Sequence, residues 1–224
     1  MNYIILGIQI FLTFFLIFLS YKLGKKDGLY LAIALFSSII CIMLFKMINV
    51  LDFDINMGIP FIVGILILNN IIVHRYGFDE LKSIMYTFGI SYILTYIVIM
   101  VTTMIVSSNY NLISNNNYDI LFGYDLYNIR YFVGGLLSIG MIIWMGSNVY
   151  DSIRKNKNSV IFNNIGSILV VLFVESIIFV TISHVGNYTL VELFGMVVNR
   201  YLIEVVIGIL GLIPIYLLVR RKEK

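Results

Sequence analysis

VIFNNIGSILVVLFVESIIFVTIS, residues Val160–Ser183, has a single charged residue, Glu175, in a stretch long enough to cross a bilayer. A membrane span needs about 20 mostly apolar residues. Six more such runs are read on either side of it: Tyr3–Tyr21, Gly28–Val50, Ile59–His74, Leu81–Ser108, Tyr131–Ile153 and Met196–Val219. In lipid each run must be a helix, because a lone helix satisfies its own backbone hydrogen bonds, and none of the runs alternates as a barrel strand does. The predicted fold is all-α: a polytopic membrane protein of about seven spans, forming one integral membrane domain over residues 1–224.

Composition agrees. Of the 224 residues, 60% are hydrophobic and 12% charged, and the mean hydropathy is +0.98. A soluble domain carries about 25% charged residues. An ordinary soluble enzyme, a disordered regulator and a disulfide scaffold are therefore excluded. One cysteine, Cys41, and two histidines, His74 and His184, argue against a thiolate or multi-histidine metal site. No H-E-x-x-H, P-loop or G-x-S-x-G motif occurs, so no enzymatic activity and no cofactor are expected.

Charge sets the expected orientation. Lys22, Lys25 and Lys26 lie in the first connection, Arg75 and Lys82 in the third, and Arg154, Lys155 and Lys157 in the fifth. Arg220, Arg221, Lys222 and Lys224 form the tail. Short basic loops stay in the cytoplasm. The alternation predicts the N-terminus outside and the C-terminus inside. The net charge of +3 is thereby a topology signal with some affinity for anionic lipid, and calls for no nucleic-acid partner. The outer connections include Asp52 and Asp54, the long Asn- and Tyr-rich stretch Asn109–Asn128, and His184–Leu190.

Three basic residues escape the cytoplasmic tally, Lys46, Arg130 and Arg200, and two acids, Glu175 and Glu204, sit inside apolar runs. A charge at a helix centre costs about 2.5–3.5 kcal/mol on insertion scales. Glu175 lies eight residues before Ser183, and Glu204 lies eight residues after Met196 on a helix running the other way. The two acids thus fall at similar depth in the outer half. Arg200 precedes Glu204 by four residues and shares its face. Two arrangements account for these charges. In one, all five line a solute cavity that opens outward. In the other they are structural ion pairs, with Lys46 and Arg130 snorkelling to the surface. Asn69 and Asn70, about 100° apart on the third span, either read the edges of a heterocycle or hydrogen-bond between helices. Gly134, Gly135, Ser138 and Gly140, with Gly208 and Gly211, permit close helix approach. Pro214 is expected to kink or end the last helix.

The chain also resembles a known family. Gly28-Leu29-Tyr30 through Lys46 and Asp52-Phe53 begins the likeness. Ile59-Pro60-Phe61 to Asn69-Asn70-Ile71-Ile72-Val73-His74-Arg75-Tyr76-Gly77, followed by Phe78-Asp79-Glu80-Leu81-Lys82, continues it. Arg130, Asn163-Asn164-Ile165-Gly166-Ser167, Glu175-Ser176-Ile177-Ile178-Phe179 and Leu212-Ile213-Pro214-Ile215-Tyr216 complete it. Together these resemble the putative vitamin uptake transporters, also called queuosine precursor transporters. The likeness implies a six-helix core over residues 28–221, preceded by an extra N-terminal helix and basic loop in residues 1–27. It implies a multi-pass protein of a bacterial plasma membrane that imports a purine-like base, a queuosine precursor of the 7-deazaguanine type. On that likeness Glu175 pairs with two N–H donors of the base and Asn70 reads another edge. Asn70 stands where the family usually has an aspartate, Ile143 and Gly146 replace a Gln and an Asp, and Glu204 replaces a lysine. The expected substrate-binding set is therefore Glu175, Asn70, Glu204, Arg200, Lys46, Arg130 and Asn69. The expected partners are a small solute and membrane lipid. A homo-oligomer and separate energising subunits remain open. A binding subunit for an energy-coupling-factor ATPase and a non-transporting scaffold are the alternative functions.

Overall fold

The computed structural model describes residues 2–50, 53–104, 117–118, 120–123, 125–156 and 159–219. Asp52, Lys157, the tail from Arg220 to Lys224 and half of the Asn109–Asn128 connection lie outside the described residues. Seven helices are labelled in chain order. They are α1 (Asn2–Met43), α2 (Ile59–Tyr76), α3 (Leu81–Thr103), α4 (Leu126–Asn156), α5 (Val160–His184), α6 (Leu190–Leu210) and α7 (Leu212–Val219). Two short strands, β1 (Met47–Val50) and β2 (Phe53–Asn56), separate α1 from α2. The chain is an all-α polytopic membrane protein. Among the described residues, six helical segments are long and apolar enough to cross a membrane.

The first of these does double service. At 1.5 Å per residue, the 42 residues of α1 would reach about 63 Å if straight, about twice the hydrocarbon thickness. They do not run straight, because Lys25 leaves the helix with φ 50° and ψ −121°. The chain folds back so tightly that a Cβ on Gly28 would run into the Ser20 carbonyl. Asn2 Nδ2 then reaches Asn49 O at 2.9 Å, and Gln9 Nε2 reaches Met57 O at 2.7 Å. The start of the first limb therefore sits level with the residues after the second. The two limbs correspond to the first two runs read from the sequence, so that among the described residues the six candidate spans comprise seven helical limbs.

The second limb ends sooner than hydropathy suggests. Its helix stops at Met43, and Met47–Val50 pairs antiparallel with Phe53–Asn56, Ile48 opposite Ile55 and Asn49 opposite Asp54. Ile48 and Val50 are β-branched residues that suit a strand. In a hydropathy scan they are as apolar as helix, which is why the run Gly28–Val50 reads as one span. Asn56 locks the junction: its Nδ2 donates to Leu44 O, and its Oδ1 accepts from Gly58 N at 2.7 Å.

The central element is α2. Every residue from Ile59 to Val73 is buried, so the helix is apolar all round and the others wrap it. The limbs of α1, α4, α6 and α7 all pack on it. Outward faces carry residues such as Phe11, Leu31, Val98, Trp144, Phe173 and Val206, the surface expected toward lipid. Gly135 shows why small residues stand on α4, since a Cβ there would strike the Tyr92 hydroxyl and Leu44. Gly140, by contrast, faces open space. The last span breaks at Gly211, because Pro214 has no N–H to offer the Leu210 carbonyl.

The basic end of the bundle is also tied together. Lys26 Nζ meets Glu80 Oε1 at 2.7 Å, Tyr30 OH donates to Glu80 Oε2 at 2.6 Å, and Arg75 stacks 4.8 Å over the Tyr21 ring. Single cysteines at Asn49 and Lys25, in a Cys41→Ala background, are expected to react with a membrane-impermeant maleimide from opposite faces, Asn49 from outside. Labelling of both from one face would refute the folded-back α1.

Candidate functional site

At the end opposite the lysine-rich turn lies a cavity of about 380 Å³. The hairpin and the start of α2 give it Met47, Asp54, Asn56 and Ile59. Tyr127 and Tyr131 come from α4, and Phe179, Val180 and His184 from α5. Tyr188, in the α5–α6 turn, and Met196, Asn199 and Arg200 of α6 complete it.

One wall is aromatic. Tyr131 sits edge-on to Phe179, ring centres 5.8 Å apart, and edge-on to His184 at 5.2 Å. Its hydroxyl takes a hydrogen bond from Tyr127 OH at 2.9 Å and lies 3.1 Å from His184 Nε2. Tyr188 also stands edge-on to the His184 ring, centres 5.5 Å apart. Tyr127 and Tyr131 are four residues apart, and so are His184 and Tyr188. The first pair lies on one helical face.

The floor is ionic. Arg200 Nε and Nη2 donate to the Glu175 oxygens at 3.1 and 2.8 Å, a two-point pairing between α6 and α5. Arg200 Nε also lies 2.9 Å from Glu204 Oε1, one turn along α6. Ser176 Oγ is 3.1 Å from Glu204 Oε2. The guanidinium rests 4.0 Å above the Phe179 ring. Glu175 and Glu204 are fully buried, and Arg200 is 6% exposed and reaches the cavity.

Of the residues singled out from the sequence, the fold brings Glu175, Glu204 and Arg200 together, but only Arg200 lines the cavity. Lys46 lies outside. It sits in the turn after α1 rather than on a membrane helix, and its side chain is exposed. Arg130 is a brace outside the cavity, where its Nη1 donates to Val185 O at 2.7 Å and holds the α5–α6 turn. Asn69 and Asn70 lie in a buried amide layer nearer the basic end. Ser147 Oγ donates to Asn69 Oδ1 at 2.9 Å, and Asn70 Nδ2 donates to Asn164 Oδ1 at 3.0 Å. Asn164 and Glu175 are eleven residues apart on α5, about 16 Å. The amides thus hydrogen-bond between helices in the described structure. His74 sits at that end too, with Nδ1 2.8 Å from Tyr150 OH.

A family model described as putative vitamin uptake transporter matches residues 56–219. The chain belongs to that family. No curated protein and no solved structure matches it. The stretch matched covers α2 to α7, and so contains the ionic floor, the aromatic wall and the amide layer. It leaves out α1, β1 and Asp54, so Met47 and Asp54 of the cavity lie outside the matched stretch.

Asp54, Tyr127, Tyr131, His184, Tyr188 and Asn199 are cavity residues absent from the sequence-based set. The signal for three was present: Asn199 adjoins Arg200, and Tyr127 and Tyr131 share a face. Asn69→Ala and Asn70→Ala are each expected to lower stability by about 1–3 kcal/mol, the cost of stranding buried polar partners. Neither should alter solute affinity by more than about twofold. Thermal unfolding of the purified variants, with a binding titration alongside, checks both.

Proposed function

We propose that this uptake transporter imports a flat, purine-like heterocycle, a queuosine precursor base, across a bacterial plasma membrane with its cavity facing outward. The observation that carries this is the cavity itself, a pocket with an aromatic wall and an arginine in its floor. Its volume is within the ~300–1,000 Å³ typical of small-molecule sites. Tyr131, Phe179, His184 and Tyr188 offer ring surfaces to a planar solute. Asp54 offers a carboxylate to the N–H donors of one edge, while Arg200 and Asn199 offer donors to a ring carbonyl.

This arrangement differs from the pairing that the family resemblance implies for Glu175. That carboxylate is already engaged by Arg200 and has no exposed surface. In the present proposal Glu175 and Glu204 act through Arg200, by holding its guanidinium at the cavity floor. Asn70 takes no part in recognition, and Lys46 contributes only positive charge near the mouth. The protein works as a carrier and not as an enzyme.

The test is uptake in a bacterial host that lacks both queuosine synthesis and its own precursor transporter. Prequeuosine base is supplied at low concentration, and queuosine in tRNA is measured. The expected result is restored modification. Asp54→Asn should raise the half-saturating concentration by about tenfold or more, as expected for loss of a charged hydrogen-bond acceptor. No restoration, with the protein folded in the membrane, would refute the base as substrate. Activity that appears only with co-purifying ATPase subunits would favour a binding subunit of an energy-coupling complex.

A further inference from the structure

Beneath the cavity, the charges do not balance. Two carboxylates, Glu175 and Glu204, face a single guanidinium, Arg200, and all three are withdrawn from water. With both acids ionised the cluster would carry a net negative charge in a place where an uncompensated ion costs several kcal/mol. The other polar groups nearby do not supply a second positive charge. Tyr127, Tyr131 and Tyr188 are neutral phenols on the cavity side. His184 Nε2 is engaged with the Tyr131 hydroxyl, and Asp54 on the hairpin is another acid. Ser176 on α5 is neutral.

Hydrogen counting points the same way. Ser176 has one hydroxyl hydrogen. Its Oγ lies 2.8 Å from Leu172 O, the usual bond of a helix serine to the carbonyl one turn back, and 3.1 Å from Glu204 Oε2. If the hydrogen goes to Leu172, the contact with Glu204 is repulsive unless Glu204 supplies a hydrogen of its own. The carboxyls of Glu175 and Glu204 also converge on the same guanidinium nitrogen, Arg200 Nε, at 3.1 and 2.9 Å, and that nitrogen has one hydrogen to give. Finally, Glu204 Oε1 is buried and accepts no well-directed hydrogen bond, although Arg200 Nε is 2.9 Å away.

We propose that Glu175 and Glu204 form a proton-binding site, and that Arg200 couples its occupancy to the solute in the cavity above. Two carboxylates crowded together share one proton. The coupling follows from the position of Arg200, which touches both the acids and the cavity. A solute carbonyl that draws the guanidinium upward loosens its hold on the carboxylates. The pair then holds its proton more tightly, and by reciprocity a bound proton favours solute binding. Solute therefore binds to the protonated cluster and the two enter together; once the solute has left and Arg200 is back on the acids, the proton is held less tightly and can leave. The proton site itself depends only on the cluster, whereas the coupling rests on the uptake function proposed above.

Two measurements separate these parts. Infrared difference spectroscopy of the purified protein in lipid, titrated with pH, is expected to show the carbonyl stretch of an un-ionised carboxylic acid at neutral pH. Glu204→Gln should abolish it. Glu175→Gln should abolish it as well, because the remaining carboxylate then balances Arg200. The second variant keeps the test decisive if the first fails to fold. Absence of the band in the wild type, or its persistence in both variants, overturns the proton site. In vesicles, prequeuosine base should enter with protons, read by a trapped pH dye, and Glu204→Gln should exchange the base without proton movement. Solute flux without proton flux in the wild type overturns the coupling. The infrared band with no movement of the base refutes that substrate and leaves the proton site standing.

Discussion

Arg200 is the point on which the cavity end of the bundle turns. A guanidinium withdrawn from water must find compensation, and two helices provide it: Glu175 from α5 accepts its hydrogen bonds, and Glu204 from its own helix α6 lies within ion-pair distance. Breaking a buried pair by removing one member typically costs about 3–5 kcal/mol, because the other charge is left stranded. Buried ionic contacts of this kind add less to net stability than well-packed apolar residues would, and their best-attested use is to fix one arrangement among several. Here the arrangement fixed is the register of α6 on α5. That register sets Arg200, Asn199 and Met196 against Phe179 and Val180 in the floor and side of the cavity.

The rest of the fold serves this placement from two directions. Helix α2 is buried on every face, so it forms an axis that the other helices can wrap without exposing backbone to lipid. The buried amides at its far end, Asn69 and Asn70, tie it to α4 and α5 by side-chain hydrogen bonds. The two ends of the bundle differ in chemistry. At one, Lys26, Arg75, Tyr21, Tyr30 and Glu80 form an interlaced basic cluster. At the other, tyrosines, His184 and Asp54 surround an open space. A carrier needs such a difference between its faces, and the amide layer separates them.

Much of the fold was legible in the sequence, because hydropathy in a membrane protein reports the solvent directly. The six candidate spans were all visible, and so was the division of the first into two limbs, which the fold makes at Lys25. The pairing of Arg200 with Glu204 followed from their four-residue spacing, and the common depth of Glu175 and Glu204 followed from counting along two antiparallel helices. The hairpin at Met47–Asn56 was hidden, since Ile48 and Val50 are apolar in either conformation and lie directly after a membrane helix. Lys46 and Arg130 were placed near the site by depth alone. Depth does not say which way a side chain turns, and neither lines the cavity. The aromatic wall was hidden for a different reason: 16 tyrosines and 16 phenylalanines give no one-dimensional mark by which Tyr131 and Phe179 stand out. Asp54 and Tyr188 reach the cavity through connections whose course only the folded chain reveals.

The central claim is that Arg200 and the two glutamates act as one buried unit. The most direct measurement is thermal unfolding in lipid of Arg200→Met alone and of the triple variant Glu175→Gln, Arg200→Met, Glu204→Gln. The unit predicts a loss of about 3–5 kcal/mol for Arg200→Met, most of it recovered in the triple variant because no buried charge is left unbalanced. Losses that simply add from one substitution to the next, with the triple variant the least stable, would contradict it.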